Sequence, residues 1–144
     1  MAQIYDYTLA KSEKINIIRY KSKRINERNI MEELRKALEA KAAEAAQSAA
    51  ALTAEDRIDD ANLEKIRGNV YGIFVSVLQA AEKQSSDNLN QRELFERNLE
   101  RIPSGWRLAR DKAWKRGDTV RLVQEDVKLA AIDEVEQAFH ELWR

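Results

Sequence analysis

The stretch Val70–Ala81, VYGIFVSVLQAA, is the most apolar run of the chain and decides the expected fold. It contains no charged residue, although 35% of the chain is charged. Its apolar side chains occupy nearly every side of a helix, which is typical of a helix buried by its neighbours. The run lies between Arg67 and Glu82 and is too short to span a bilayer, which needs about 20 apolar residues. We therefore expect Ala54–Lys83 to form the central helix of a bundle.

The composition of the chain favours helices and a single domain. Its 144 residues include one proline and four glycines, and both residue types weaken helix interiors. No segment alternates apolar and polar residues as a half-buried strand would. We expect an all-α fold, a single compact bundle of five or six helices over residues 1–144 with a central buried helix. Residues 1–8 lack helical spacing and are expected to form a flexible or docking arm.

Helix starts and stops divide the first third of the chain. Thr8 is expected to begin a helix that reaches about Arg24, and a second helix covers Glu27–Leu52. Whether these two helices are continuous stays open. Thr53 with Asp56 resembles a capping box, which would begin the central helix immediately afterwards.

The second half of the chain has clearer boundaries. A polar break at Ser85–Asn88 precedes a short helix that Pro103 is expected to end, because proline disfavours helical geometry in the residue before it. A further helix is expected to stop at Gly117, since glycine is the preferred residue just beyond a helix. Asp118 is then expected to cap the last helix, Thr119–Trp143.

Small residues recur every four positions along one side of the expected central helix. They are Gly68, Gly72, Ser76 and Ala80. Glycine in a helix interior costs about 1 kcal/mol relative to alanine, so two glycines need a structural reason. The preceding helix has an alanine-rich half, ALEAKAAEAAQSAAAL, and a short link makes the two helices antiparallel neighbours. We expect the four small residues to allow close packing against the alanine-rich helix.

Charge is segregated along the chain, although the formal net charge is zero. Residues 1–28 carry a net charge of +4 and residues 97–121 carry +5, whereas residues 29–65 carry −4. In one interpretation the basic and acidic helices neutralise each other within the bundle. In the other, the basic segments 11–28 and 97–121 form one patch for a polyanion such as a nucleic acid.

The candidate polyanion-binding residues combine cations with one aromatic ring. Arg107, Arg110 and Trp114 fall on one side of a predicted helix, where the cations would meet phosphates and the ring would stack on a base. The whole candidate set is Arg107, Arg110, Trp114, Lys115, Arg116, Lys11, Lys14 and Lys21. No zinc ligands or clear helix-turn-helix spacing accompany it, so nucleic-acid binding is the alternative function and not the first expectation.

Residues that commonly carry catalysis are sparse. The chain has no cysteine and a single histidine, His140, with no second histidine for a metal site and no serine on a nucleophile turn. The glycines are isolated and do not form a phosphate-binding loop. The best candidate for an inward carboxylate cluster is one helix side that holds Asp56, Asp60, Glu64 and Arg67, although such acids also suit a helix N-terminus. We expect no enzymatic activity, no cofactor and no metal.

The expected function is that of a small, soluble, cytoplasmic interaction or regulatory protein that acts through a helical surface. The first residues, MAQIYDYTLAKSEK, lack the pattern of a signal peptide, and no membrane partner is expected. The last predicted helix is apolar over about half its circumference at 100° per residue, which favours contact with several helices or with another chain. We expect the partner to be another protein or a second copy, as a homodimer through this wide face or the N-terminal arm.

Overall fold

The structure, a computed structural model, describes residues 2–84 and 90–143, and within them the side chains of all except residues 2–10 and 20–25. The described residues form four helices and no strand. The helices are α1 (Ala2–Ala54), α2 (Ile58–Gln84), α3 (Gln91–Arg116) and α4 (Thr119–Leu142). Short turns make α1 antiparallel to α2 and α3 antiparallel to α4, and every pair of helices is in contact. The predicted all-α bundle is confirmed, with fewer and longer helices than the five or six expected.

The first reason for the lower number is that α1 is one continuous helix. It includes the segment from Ala2 to Thr8 that was expected to be an arm, and it joins the two helices predicted on either side of residue 26. No glycine or proline occurs before Gly68, so no residue in this part of the chain interrupts a helix. Met1 lies outside the described residues.

The second reason is that α3 runs through Pro103, so the prediction that this proline ends a helix is wrong. Pro103 is buried in the bundle, and its packing outweighs the lost hydrogen bond and ring clash, which cost about 3 kcal/mol in a helix interior. Asn90 caps the start of α3, where its side-chain oxygen accepts a hydrogen bond from the Glu93 N–H at 2.8 Å. The break predicted at Ser85–Asn88 lies outside the described residues.

The α1–α2 turn does not contain the predicted capping box. The Thr53 hydroxyl donates to the carbonyl oxygen of Ala49 at 2.8 Å, which keeps Thr53 within α1. Asp56 adopts the left-handed region with a φ of 61°, and α2 begins only at Ile58. A threonine hydroxyl bonds the carbonyl four residues back as readily as it caps a following helix, and here the first option is realised.

The α3–α4 turn matches its prediction. Gly117 ends α3 with a φ of 68°, a left-handed conformation that glycine adopts without steric cost. Asp118 caps α4, and its side-chain oxygen accepts a hydrogen bond from the Arg121 N–H at 3.1 Å. This end of the bundle is therefore built by local signals in the sequence.

The core is centred on three phenylalanines from different helices. Phe95 on α3 lies between Phe74 on α2 and Phe139 on α4, with ring centroids 5.9 Å and 5.2 Å away. Leu34 and Leu38 of α1 are fully buried in the same cluster. Every helix contacts the other three, but α2 makes the most extensive contacts with them, so it has the central position expected of Ala54–Lys83.

Only the first of the four predicted close-packing residues of α2 faces α1. A Cβ atom at Gly68 would lie 3.2 Å from the Cβ of Ala45, which is fully buried. Gly72, Ser76 and Ala80 are exposed instead, and nothing lies within 4 Å of a Cβ atom at Gly72. Each step of four residues turns about 40° around a straight helix, so the row of small residues rotates away from α1.

Gly72→Ala is expected to raise the free energy of unfolding by about 0.5–1 kcal/mol, because alanine has the better helix propensity and its Cβ meets open space here. Chemical denaturation measures the change. Gly68→Ala is the matched control, since it brings the same propensity but places its Cβ 3.2 Å from Ala45. We expect a smaller gain or a loss there, and equal gains at both glycines would contradict the close approach of α1.

Candidate interaction surfaces

The bundle has two different ends. At one end, Leu52 and Leu63 beside the α1–α2 turn line a cleft together with Val127 and Ala130 of α4. This end, which also holds the α3–α4 turn, is called the turn end below. At the other end, Gln91 at the start of α3 lines a cavity with residues of α1 and α2. Beyond that cavity α1 continues toward its N-terminus, and its residues 2–27 are called the projecting segment.

The projecting segment is uncovered from Lys11 to Arg19. All of these residues are exposed, including Ile15, Ile17 and Ile18, the last with 63% of its surface accessible. By contrast, α1 supplies buried side chains to the core from Met31 onward. A helix that presents isoleucines to water without a covering neighbour is an unusual surface for a monomeric protein.

The turn end carries most of the other exposed apolar residues. Val120 is 70% exposed and Trp114 is 67% exposed, and Val123 and Ile58 are exposed as well. Val120, Val123 and Val127 follow one another at spacings of three and four, so they form an apolar stripe on one side of α4. Val127 lies in the wall of the cleft. The predicted wide apolar face of the last helix is therefore covered along the bundle and open at the turn end.

The candidate polyanion-binding residues do not form one patch. Lys11 and Lys14 are exposed on the projecting segment, whereas Arg107, Lys115 and Arg116 are exposed near the turn end. The two groups are separated by roughly 60 Å along the bundle, at 1.5 Å per helical residue. The interpretation in which these residues share one patch is therefore not supported, because α1 and α3 run in the same direction and the candidates lie near the start of α1 and toward the end of α3. Lys21 lies in α1, but its side chain is outside the described part.

The candidate residues at the turn end differ in their pairing. Arg110 donates from Nε to the carboxylate of Asp126 on α4, so its charge is engaged within the fold. In the described part of the chain, Arg107, Lys115 and Arg116 have no carboxylate within ion-pair distance. Trp114 presents its ring to solvent beside them in the sequence, while Trp106 packs against the core.

The turn end also carries the acidic segment of the α1–α2 turn. Its exposed carboxylates are Glu55, Asp56, Asp59 and Asp60. Arg57 is the one cation among them, and its guanidinium lies 2.8 Å from Asp60 and 3.7 Å from Glu55. A basic turn and an acidic turn therefore lie on the same end of the molecule.

The predicted carboxylate cluster does not converge on a site. Asp56 and Asp60 point to solvent, and Glu64 pairs with Arg67 at 2.8 Å along its own helix. Among the described residues no group of three potential metal ligands occurs. His140 is exposed, and its ring contacts that of Phe139 at 5.5 Å.

A polar network ties three helices together near the middle of the bundle. Tyr71 of α2 is fully buried, and its hydroxyl donates to the carboxylate of Glu134 on α4. Arg67 donates to the Tyr71 oxygen at 3.3 Å, and Lys41 of α1 lies 3.6 Å from Glu134. Burial, reinforced by the bond to Glu134, raises the pKa of Tyr71 to about 12. The hydroxyl is thus held as a hydrogen-bond donor, and the network links the helices.

A fully buried carboxylate, that of Glu125, lies on α4 and is paired with cations of the same helix. Its Oε1 accepts from Arg121 at 2.9 Å and from Lys128 at 3.1 Å. The Lys128 ammonium also lies 6.0 Å from the centre of the Trp106 ring. The sequence presents Glu125 as one of two adjacent acids, so no pattern distinguishes it from a solvated residue before the tertiary contacts are known.

Comparisons with known proteins give no match. No family model, no curated protein and no solved structure is detectably similar to this chain. In the part of the chain that the structure describes, none of the helices has the length and apolar character needed to cross a membrane.

Proposed function

We propose that this chain is a non-enzymatic interaction protein whose copies associate through helical surfaces at the ends of the bundle. One observation supports the proposal: the exposed large apolar side chains cluster. Among the side chains described, three lie on the projecting segment and five on or near the turn end, and Ile73 alone lies between them. Single exposed apolar residues are ordinary on a protein surface, whereas clusters are typical of interaction sites.

The projecting segment lacks a covering helix from its own chain over Lys11–Arg19. Isolated helices are marginal in water, because most helical stability in proteins comes from packing of an apolar face. Burying one isoleucine side chain contributes about 1.5–3 kcal/mol, so an apolar cover over even part of such a cluster favours association. At high protein concentration a second copy of the chain is available as a partner, and it exposes the same apolar clusters.

Light scattering of the purified chain over a range of concentrations tests this proposal. We expect a mass that rises with concentration from the 16.6 kDa of one chain toward twice that value. The double variant Ile15→Lys with Ile18→Lys asks in the same experiment whether the projecting segment contributes. A chain that stays monomeric at about 1 mM would contradict the proposal, since it would place the dissociation constant beyond that of a weak complex.

Nucleic-acid binding is the second candidate function. The observation that favours it is the exposed ring of Trp114 close in sequence to Lys115 and Arg116, which pair with no carboxylate among the described side chains. Two observations weigh against it, the engagement of Arg110 by Asp126 and the acidic α1–α2 turn on the same end. Binding of a single-stranded oligonucleotide that weakens steeply with salt would support it, because released counterions supply much of such affinity.

A further inference from the structure

We infer that the turn end is the surface through which two copies pair, with α4 of one copy antiparallel to α4 of the other about a two-fold axis near Val123. This inference rests on the proposed function and names the surface that performs it. A second copy presents both a complementary apolar stripe and a complementary charge pattern. Two-fold pairing is also the commonest arrangement of soluble oligomers, because one patch then serves both partners.

The apolar part of the argument comes from the stripe along α4. Val120 and Val123 are exposed, while the next member of the stripe, Val127, lines the cleft beside the α1–α2 turn. With a two-fold axis near Val123, Thr119 of one copy lies beside Val127 of the other. Val120 of each copy then approaches the mouth of the other copy's cleft, which has a volume of about 370 Å³. The exposed apolar side chains of this end cover one another.

The charges at the turn end fit the same arrangement. Antiparallel pairing carries the basic end of α3, with Lys115 and Arg116, over the cleft wall of the second copy. On that wall Asp60 and Glu64 pair with Arg57 and Arg67. The exposed Asp56 and Asp59 beside it keep the α1–α2 turn net acidic. The two-fold axis therefore produces the contact twice, because the basic turn of each copy lies over the acidic turn of the other. A nucleic acid on this surface would instead meet the phosphate-repelling acidic turn, which is why the second copy is favoured.

Charge reversal gives a test that includes its own rescue. The basic-turn variant is Lys115→Glu with Arg116→Glu, and the acidic-turn variant is Asp59→Lys with Asp60→Lys. Each variant alone would bring like charges together in its own dimer, so we expect its dissociation constant to rise at least tenfold. The basic-turn variant then has two acidic turns, and the acidic-turn variant has two basic turns. In an equimolar mixture each contact of the heterodimer therefore joins opposite charges. We expect this heterodimer to form with an affinity near that of the wild type.

The control reverses two exposed cations away from the turn end, Lys83→Glu with Arg97→Glu, and should leave the dissociation constant unchanged. Native mass spectrometry and light scattering report the homodimers and the heterodimer, and rescue in the mixture itself shows that both variants fold. The dissociation constant of the wild-type dimer is also expected to rise with salt concentration, because salt screens the attraction between the basic and acidic turns.

The contradicting outcomes are distinct. A wild-type chain that is monomeric at about 1 mM overturns both the proposed function and this inference. A wild-type dimer that both turn variants retain, or a mixture without a heterodimer, overturns the inference alone. If Ile15→Lys with Ile18→Lys abolishes the dimer and the turn variants do not, the interface lies on the projecting segment. A monomer that binds a single-stranded oligonucleotide assigns the basic turn to nucleic acid and overturns the inference as well.

Discussion

Phe95→Ala is expected to lower the free energy of unfolding by about 3–5 kcal/mol, the largest effect of any substitution considered for this chain. Phe95 is fully buried on α3, and its ring bridges Phe74 of α2 and Phe139 of α4 at centroid distances of 5.9 Å and 5.2 Å. Removing the ring loses its burial and leaves a cavity that three separate helices would have to close together. Urea denaturation followed by circular dichroism measures the change.

The matched control for this substitution is Leu108→Ala on the same helix. Leu108 is 57% exposed, so its truncation creates no cavity and should change stability by no more than about 0.5 kcal/mol. A loss of less than about 1 kcal/mol for Phe95→Ala would contradict the central role of the three phenylalanines, because it would mean that the site collapses without cost.

The second large effect is a loss of stability at high pH that depends on Tyr71. In the folded chain the pKa of Tyr71 is raised to about 12 by burial and by the bond to Glu134. The same group in the unfolded chain ionises near pH 10. Between these values the folded state keeps a proton that the unfolded state has lost, so stability falls as the pH rises. The contribution is fully present below about pH 10 and lost by about pH 12, and a difference of two pKa units corresponds to roughly 2–3 kcal/mol.

Tyr71→Phe separates this effect from the titration of other groups. The variant lacks the hydroxyl, so between pH 9 and pH 11 its free energy of unfolding should fall by about 1 kcal/mol less than that of the wild type. Near neutral pH the variant should be about 1–2 kcal/mol less stable, because Glu134 loses a hydrogen-bond donor. Denaturant midpoints at the two pH values provide the measurement. Parallel loss in both proteins would show that Tyr71 does not carry the alkaline effect.

Local signals in the chain were sufficient for the features that depend on a few neighbouring residues. The turn at Gly117 and Asp118 follows from a left-handed glycine and a capping carboxylate, and both act within one helical turn. The all-α class follows from the scarcity of glycine and proline, and the continuity of α1 has the same cause. The central position of α2 was indicated by its apolar content, which must be buried by neighbours.

Local signals failed where another helix decides the outcome. Pro103 breaks a helix by local rules, yet its burial against neighbouring helices keeps α3 continuous. Gly72 shares a row with Gly68, but only Gly68 lies where α1 crosses α2. Glu125 looks like a solvated acid in the sequence but is fully buried, and its partner Lys128 lies over the ring of Trp106 on α3. In each case the deciding contact is far away in the chain.

Residue patterns alone predict that this protein is helical, that a turn joins two helices at Gly117, and that Val70–Ala81 lies at the centre of the bundle. Propensity, capping and apolar periodicity are properties of short segments, so they can be read before the fold is known. Which apolar faces stay exposed, and where the charged side chains lie together, depends instead on how the four helices pack. The basic segments separate because α1 and α3 run in the same direction, and the stripe of α4 that begins at Val120 is covered along the bundle but open at the turn end. Those are consequences of helix lengths and directions, which no local pattern records.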